Sequence, residues 1–327
     1  MLNSKTLLLT GGTGHFGQKF TEWILQNYPR IREIVIFSKD TTKQEKMKAR
    51  FPDAPLRFLS GDMADKKAVE YACQGVDVIV HTAAFRIVPE AETAPWQAIQ
   101  TNVLGAQNLI EAAVAQQVKQ IVALSTDMAS LANNVYGATK MLADKLFIAA
   151  HRTHPALKTT VVRLGNIFGS VGTVVPFFIR KAREEGILPV TDPRMSRFMA
   201  TPEACVRMVA DILRIGKGGE IVVPKIKSYN ILTVAKAIAP QAEIRIIGLR
   251  PGEKLYEEMI TRYDSFFTIE AENYYIIVPP YADKASYCRH FSAQTVPVGF
   301  EFHSENNPAK ITVEEMRDMI RTFYPGK

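Results

Sequence analysis

The chain has 327 residues, 47% of them hydrophobic, and a formal charge of +7 from 40 basic against 33 acidic side chains. That length and apolar content exclude a disordered chain and suit one large globular unit or two lobes sharing a cleft. The basic excess favours acidic ligands such as nucleotides, but its densest stretch, Lys39 to Arg50, has no interleaved aromatics, so nucleic acid is not expected as a partner.

A strand is predicted directly at Thr6 to Thr10, with no leader pattern before it, and no apolar run reaches the ~18 residues of a membrane span. Four more β-rich runs follow, REIVIFS, PLRFLSGD, VDVIVHTAA and VKQIVALST, separated by helical periodicity. Their near-continuous apolar character predicts strands buried on both faces, in a doubly wound α/β sheet of the Rossmann type. Beyond about Val162, Pro176, Pro189, Pro193, Pro202, Pro224, Pro240 and Pro251 punctuate shorter elements, as in a smaller α+β lobe. The expected division is 1–168 for a coenzyme-binding domain and 169–327 mainly for a substrate lobe, with some segments returning to the first sheet. Cys73, Cys205 and Cys288 form no disulfide or zinc pattern and fit a reducing, cytoplasmic setting. His151 and His154 lack nearby carboxylate or cysteine ligands, and no metal is expected.

Thr10-Gly11-Gly12-Thr13-Gly14-His15-Phe16-Gly17 follows the first strand and opens a helix. Glycines at 11, 14 and 17 permit a tight turn and bring the N–H groups of a helix N-terminus to a pyrophosphate, so a dinucleotide site is predicted. The second strand ends in Ser38-Lys39-Asp40. A hydroxyl followed by a cation suits the 2′-phosphate of NADP better than the plain ribose of NAD, unless Asp40 binds that ribose. Asp62 and Met63 are placed at the adenine, and Ala83 and Ala84 offer small side chains beside the coenzyme.

Tyr136 and Lys140 stand at i and i+4 in a helical stretch, hence on one face. A lysine near the phenol and a positive nicotinamide both favour phenolate, which lets Tyr136 accept a hydroxyl proton while hydride leaves the same carbon. This YxxxK pair is the mark of short-chain dehydrogenases.

The segment LSTDMASLANNVYGATKMLADKLF resembles the soluble inverting UDP-N-acetylglucosamine 4,6-dehydratases of bacterial surface-sugar pathways. The likeness continues through SKDTTKQ, FRIVPEAE, TNVLGAQNLIEAA, GNIFGSVGTVVPFF, TDPRMSRF, GGEIVVPKI and GLRPGEKLYEEM. The resemblance implies an NADP enzyme in which Tyr136 takes the 4-hydroxyl proton, Thr126 bonds the 4-oxygen, and Asp127 protonates the departing 6-hydroxyl. It implies Asn102 on the coenzyme side. For the UDP-sugar it implies Arg86, Glu92, Asn166, Val174, Pro176, Thr191, Arg194, Arg197, Arg250 and Glu253, together with assembly as a homo-oligomer through the helices after the fourth and fifth strands.

One position departs from the family pattern. The family has Thr-Asp-Lys at the catalytic turn, the lysine handling the proton on carbon 5, whereas this chain has Met128. A thioether is no base, and a general base contributes ~10²–10⁴-fold. Tyr136 or water taking over, a 4-epimerase, another step on a related sugar, an engineered change and a packing role for Met128 with the base elsewhere are the readings left open. A coenzyme-binding sensor that has lost turnover is a further alternative.

Overall fold

The computed structural model describes residues 1–170, 172–250 and 252–325, and in it all five strand runs expected in the first half form. They are β1 (Thr6–Thr10), β2 (Glu33–Ser38), β3 (Leu56–Ser60), β4 (Val78–His81) and β5 (Gln120–Thr126), alternating with α1 (His15–Asn27), α2 (Thr41–Arg50), α3 (Lys66–Ala72), the short α4 (Val88–Thr93) and α5 (Pro95–Ile99), and α6 (Gly105–Ala115). Then come α7 (Val135–Thr153), β6 (Lys158–Leu164), β7 (Asn166–Ile167), α8 (Val174–Glu185), β8 (Ile187–Val190), β9 (Ser196–Ala200), α9 (Pro202–Ile215) and β10 (Ile221–Pro224). The remainder is β11 (Ser228–Asn230), α10 (Ile231–Ile238), β12 (Glu243–Ile246), β13 (Glu258–Ile260), β14 (Thr268–Glu270), β15 (Tyr274–Ile277), α11 (Lys284–Phe291), β16 (Gln294–Thr295), β17 (Phe302–His303) and α12 (Val313–Phe323).

Among the described residues the main sheet has ten strands in the order β16-β14-β15-β10-β6-β5-β4-β1-β2-β3. From β3 to β10 the pairs are parallel, and β15, β14 and β16 add an antiparallel edge. The fold class is therefore the doubly wound α/β sheet. Both faces of the sheet are covered, so Leu7, Leu8, Leu9, Ile34, Ile36 and Ile79 are buried although successive side chains point opposite ways. Each such side chain contributes about 1.5–3 kcal/mol of burial free energy.

A second apolar cluster, around Phe168, Phe178, Leu188, Tyr229, Val234, Met316 and Ile320, gathers α8, α10 and α12 with two small sheets, β11-β9-β7 and β12-β8. Asn166 lies just beyond the sixth strand. β6 ends at Leu164, and Asn166 pairs instead with Met199 in β9. The crossing point is Gly165, where a methyl group would meet Phe198 Cβ at 2.5 Å. A π-helical turn, Gln100–Leu104, also interrupts the helical stretch before α6.

Candidate active site

The chain leaves β1 through Gly11, whose φ of +67° only glycine adopts without strain and where a Cβ would sit 2.8 Å from the Ala83 nitrogen. Gly14 N–H closes the turn on the Gly11 carbonyl at 2.9 Å. Gly14 is the N-cap of α1 and offers no side-chain cap, so the first N–H groups of the helix remain donors for an anion. Gly17 packs on Gly12, Phe16 is buried, and His15 at the helix start is held below the ordinary imidazole range by burial and by Lys19.

At the end of β2, the Ser38 hydroxyl accepts from Thr13 Oγ1 (3.1 Å) and Gln44 Nε2 (3.3 Å), which leaves its own O–H as a donor. Lys39 is exposed and faces Asp62 at 3.7 Å. Asp40 caps α2, accepting from Lys43 N at 2.9 Å and pairing with Lys43 Nζ at 2.6 Å. Met63 is buried against Gly105, and Ala83 N donates to Thr10 Oγ1 at 3.3 Å. Ala84 follows, half-buried, on the exit from β4. Asn102, expected beside the coenzyme, accepts from Phe85 N (2.7 Å) and donates to Phe85 O and Thr139 Oγ1 (both 3.0 Å). It is a clamp between the β4 exit and α7, and any effect on the coenzyme passes through that loop.

β5 delivers Thr126 and Asp127 into a short 3-10 turn, Asp127–Ala129. Thr126 Oγ1 donates to Asp127 Oδ1 at 3.0 Å, and Met128 N–H is shared between Thr126 Oγ1 (3.3 Å) and Asp127 Oδ1 (3.0 Å). Asp127 is 2% exposed and its Oδ2 has no hydrogen-bond partner. Burial first, and then the carboxylate of Glu257, push the Asp127 carboxyl well above the usual carboxylate range, towards its protonated form. Opposite stands the first turn of α7. Its N-cap is Asn134, which accepts from Gly137 N at 2.8 Å and donates to the Gly252 carbonyl at 3.2 Å. Tyr136 hydrogen-bonds the Thr126 side chain, and burial, followed by Asp127, pushes its phenol up to about 12. The expected phenolate is thus not favoured by the protein groups alone. Lys140 donates its Nζ to the Leu124 carbonyl at 2.8 Å, beneath β5, and its ammonium is weakened by burial, against which Asp144 works.

The residues expected at the sugar nucleotide divide into two sets. Arg86 lies where its charge bears on both Tyr136 in α7 and His15 at the glycine turn. Asn166 hydrogen-bonds the buried Tyr229 hydroxyl, which also faces Arg197 and Asp127. Others are held by their own surroundings. Glu92 accepts from Val135 N at 2.6 Å and so caps α7. Arg197 donates to the carbonyls of Ser196 (2.7 Å), Lys254 (2.9 Å) and Leu255 (3.2 Å) and lies 3.7 Å from Glu257. Arg194 forks onto Asp192, with Nη2 to Oδ2 at 2.7 Å, and Arg250 pairs with Glu253, although both guanidinium groups stay about two-thirds exposed. Thr191 donates to Met195 Sδ at 2.9 Å. Val174 packs against the second cluster at the start of α8, and Pro176 is half-buried in the same turn. Pro251 and Val171, each inside a motif noted above, lie outside the described residues. Sequence reasoning did not single out Glu257, Tyr229 or Asn134. The first lies in the quoted GLRPGEKLYEEM block, the second had no local signal, and the third is an Asn opening an apolar-periodic helix, a readable cap.

A family model described as polysaccharide biosynthesis protein matches residues 7–279. A UDP-N-acetylglucosamine 4,6-dehydratase (inverting) of Campylobacter jejuni is 42% identical, with 98% of each chain covered. A UDP-glucose 4-epimerase of Rickettsia canadensis is 36% identical, over 99% of this chain and 97% of that one. Among solved structures, Pen from Bacillus thuringiensis superposes with a TM-score of 0.90 at 32% identity, covering 98% of both chains. DesIV, a dTDP-glucose 4,6-dehydratase from Streptomyces venezuelae with NAD and TYD bound, superposes at 0.69 with 23% identity over 98% of this chain and all of that one, a likeness of fold. Taken with the glycine turn, the YxxxK helix and the sheet order, these matches show that the chain belongs to the polysaccharide biosynthesis protein family, on the extended short-chain dehydrogenase fold.

Proposed function

We propose that the protein is a nucleotide-sugar dehydratase that uses NADP and acts on UDP-N-acetylglucosamine, removing water across carbons 5 and 6 after oxidation at carbon 4. The observation that carries this reading is a buried carboxyl, Asp127, which follows Thr126 on the turn, accepts from Thr126 Oγ1 at 3.0 Å, has no partner for its second oxygen, and is pushed by burial above the usual carboxylate range. A carboxyl still protonated near neutral pH can donate to a departing hydroxyl. The curated Campylobacter relatives support the substrate class.

The chain fits the coenzyme. The cradle around Gly11 has no room for a Cβ, the N-terminus of α1 is uncapped by side chains, and Ser38 and Lys39 offer a donor and a cation while Asp40 is committed to α2. These groups suit a 2′-phosphate, and NAD is the weaker fit. When bound, NADP accepts hydride from carbon 4 and returns it to carbon 6. Tyr136 takes the proton of the 4-hydroxyl, and Thr126 orients the 4-oxygen. Lys140, anchored on Leu124, supplies positive charge beneath the phenol. For the proton on carbon 5, Met128 is no acceptor, Asp127 carries a proton, and Lys140 is tied to a carbonyl. Tyr136 can serve as the acceptor only after it has passed the 4-hydroxyl proton on to solvent, and otherwise a bound water relays the carbon-5 proton to solvent. Arg86, Arg194 and Arg250, with exposed guanidinium groups, are assigned to the diphosphate side, and Arg197 and Glu92 to holding the loops that frame it. Val174 and Pro176 at the start of α8 would flank the uridine. The helices after β4 and β5 expose Trp96, Leu104 and Leu142, which supports homo-oligomer assembly there. No helix among the described residues is long and apolar enough to cross a membrane.

The test is incubation with UDP-N-acetylglucosamine in deuterated water, with mass spectrometry, proton NMR and absorbance of the reduced coenzyme as readouts. A product lacking the elements of water, with deuterium at carbon 5, is expected. Unchanged mass with a new axial 4-hydroxyl signal establishes a 4-epimerase instead, the reading favoured by Met128 and by the epimerase-named relatives.

A further inference from the structure

A second carboxylate lies beneath the catalytic turn and has no part in the chemistry above. Glu257 is 3% exposed, beside Asp127 at 2%. Its segment reaches the turn because β13 packs on residues 127–129, and Arg163 ties the two together, donating to the Met259 carbonyl (2.7 Å) and to Ser130 Oγ (3.4 Å). The backbone of Glu257 is fixed from the other side. Its N–H donates to Ser304 Oγ (3.1 Å), its carbonyl accepts from Ser304 N (2.8 Å), and Ser304 Oγ meets Ser196 Oγ at 2.9 Å. The side chain lies between Arg197 Nε (3.7 Å) and Lys254 Nζ (3.5 Å). One oxygen of each carboxyl, Asp127 Oδ2 and Glu257 Oε2, lacks a hydrogen-bond partner.

Two carboxyl groups in one water-poor site do not both ionise without a large penalty, and the proton goes to the one with less positive charge around it. Glu257 has two cations at ion-pair distance. Asp127 feels Arg197 only, and against it stand burial and the Glu257 charge. The other titratable groups facing Asp127 are the phenols of Tyr136 and Tyr229, which burial keeps neutral. We infer that Glu257 is a positioning residue for the reaction: set between Arg197 and Lys254 at ion-pair distance and packed at the Asp127 turn, it keeps the transferable proton on Asp127. The inference rests on the dehydratase reading only for what Asp127 does with that proton.

The experiment is an infrared titration of the protonated-carboxyl stretch in the full-length, coenzyme-loaded protein, with Asp127→Asn identifying the band. In Glu257→Gln the Asp127 midpoint should fall by about 1 pH unit or more, whereas Glu257→Asp, which keeps the charge, should hold it near the wild-type value. An acid must be protonated to act, so turnover is lost as pH rises through that midpoint. The alkaline limb of kcat for UDP-N-acetylglucosamine should therefore move to lower pH in Glu257→Gln, with KM little changed. A midpoint in folded Glu257→Gln within ~0.3 unit of wild type overturns the inference, as does a fall in Glu257→Asp equal to that in Glu257→Gln. If the wild-type protein does not turn over this sugar, the substrate reading fails alone and the infrared midpoint still decides the role of Glu257.

Discussion

Replacing Gly137 by Ala tests the contact that sets the catalytic geometry. Gly137 lies in the first turn of α7, directly after Tyr136, and a methyl group there would fall well under 3.0 Å from the Met128 carbonyl oxygen, closer than a real methyl sits. The neighbour is backbone, so it has no rotamer escape, and the 3-10 turn must withdraw by roughly half an ångström. In an open helix the same change would stabilise by about 1 kcal/mol. Overpacking costs ~1–3 kcal/mol, so the clash wins and the variant should lose about 1 kcal/mol net. Turnover should suffer more than stability, because the withdrawal separates Tyr136 from Thr126 and Asp127. An ångström of misplacement costs ~10²-fold, so a kcat roughly 10-fold lower is expected at unchanged coenzyme affinity. Denaturant unfolding followed by the fluorescence of Trp23 and Trp96, with steady-state kinetics beside it, measures both. A variant more stable than wild type with full kcat would refute the packing of this turn on α7.

Tyr136→Phe should lower kcat by ~10²–10⁴-fold and leave NADP affinity within a few-fold, as checked by single-turnover kinetics and coenzyme titration. Asn102→Ala should destabilise by about 2–4 kcal/mol, because it strands the N–H and carbonyl of Phe85 without replacing them, and the denaturation midpoint reads this directly. Lys39→Glu should cut the preference for NADP over NAD by about 10–100-fold in binding titrations, as a charge-assisted phosphate contact becomes a repulsion, and an unchanged ratio would place the 2′-phosphate elsewhere.

The parallel sheet was legible because its strands are buried on both faces, which leaves an unmistakable apolar signature in Leu7 to Leu9 or Val78 to Val80. The glycine turn and the Tyr136–Lys140 spacing were legible because their chemistry is local, a φ or a helical face. The fate of the charged residues was not. Arg197 has a diphosphate-binding appearance in sequence, yet its fork is filled by the carbonyls of Lys254 and Leu255, and Glu92 is drawn to the Val135 N–H. Which acceptor an arginine finds depends on chain segments some 58 residues away, a separation that no local pattern encodes. Glu257 carries no local signal for the same reason, since its segment meets the Asp127 turn through β13 and nothing in its sequence neighbours encodes that meeting.

The start of α7 shows how many residues hold the one tyrosine to which the proposed function assigns the chemistry. A helix begins with N–H groups that lack intrahelical partners. Here Glu92 takes that of Val135, and Asn134 takes that of Gly137 while reaching across to the Gly252 carbonyl. One cap thereby joins the β4 exit, the catalytic helix and the loop carrying Arg250 and Glu253. Each of those segments bears groups assigned to the sugar nucleotide, so a shift in any one is felt at Tyr136 through hydrogen bonds of 2.6 to 3.2 Å. The placement of the phenol near Thr126 and Asp127 is therefore a property of the caps as much as of Tyr136 itself, and under the proposed function a group bound beside Arg250 has a hydrogen-bonded route to Tyr136.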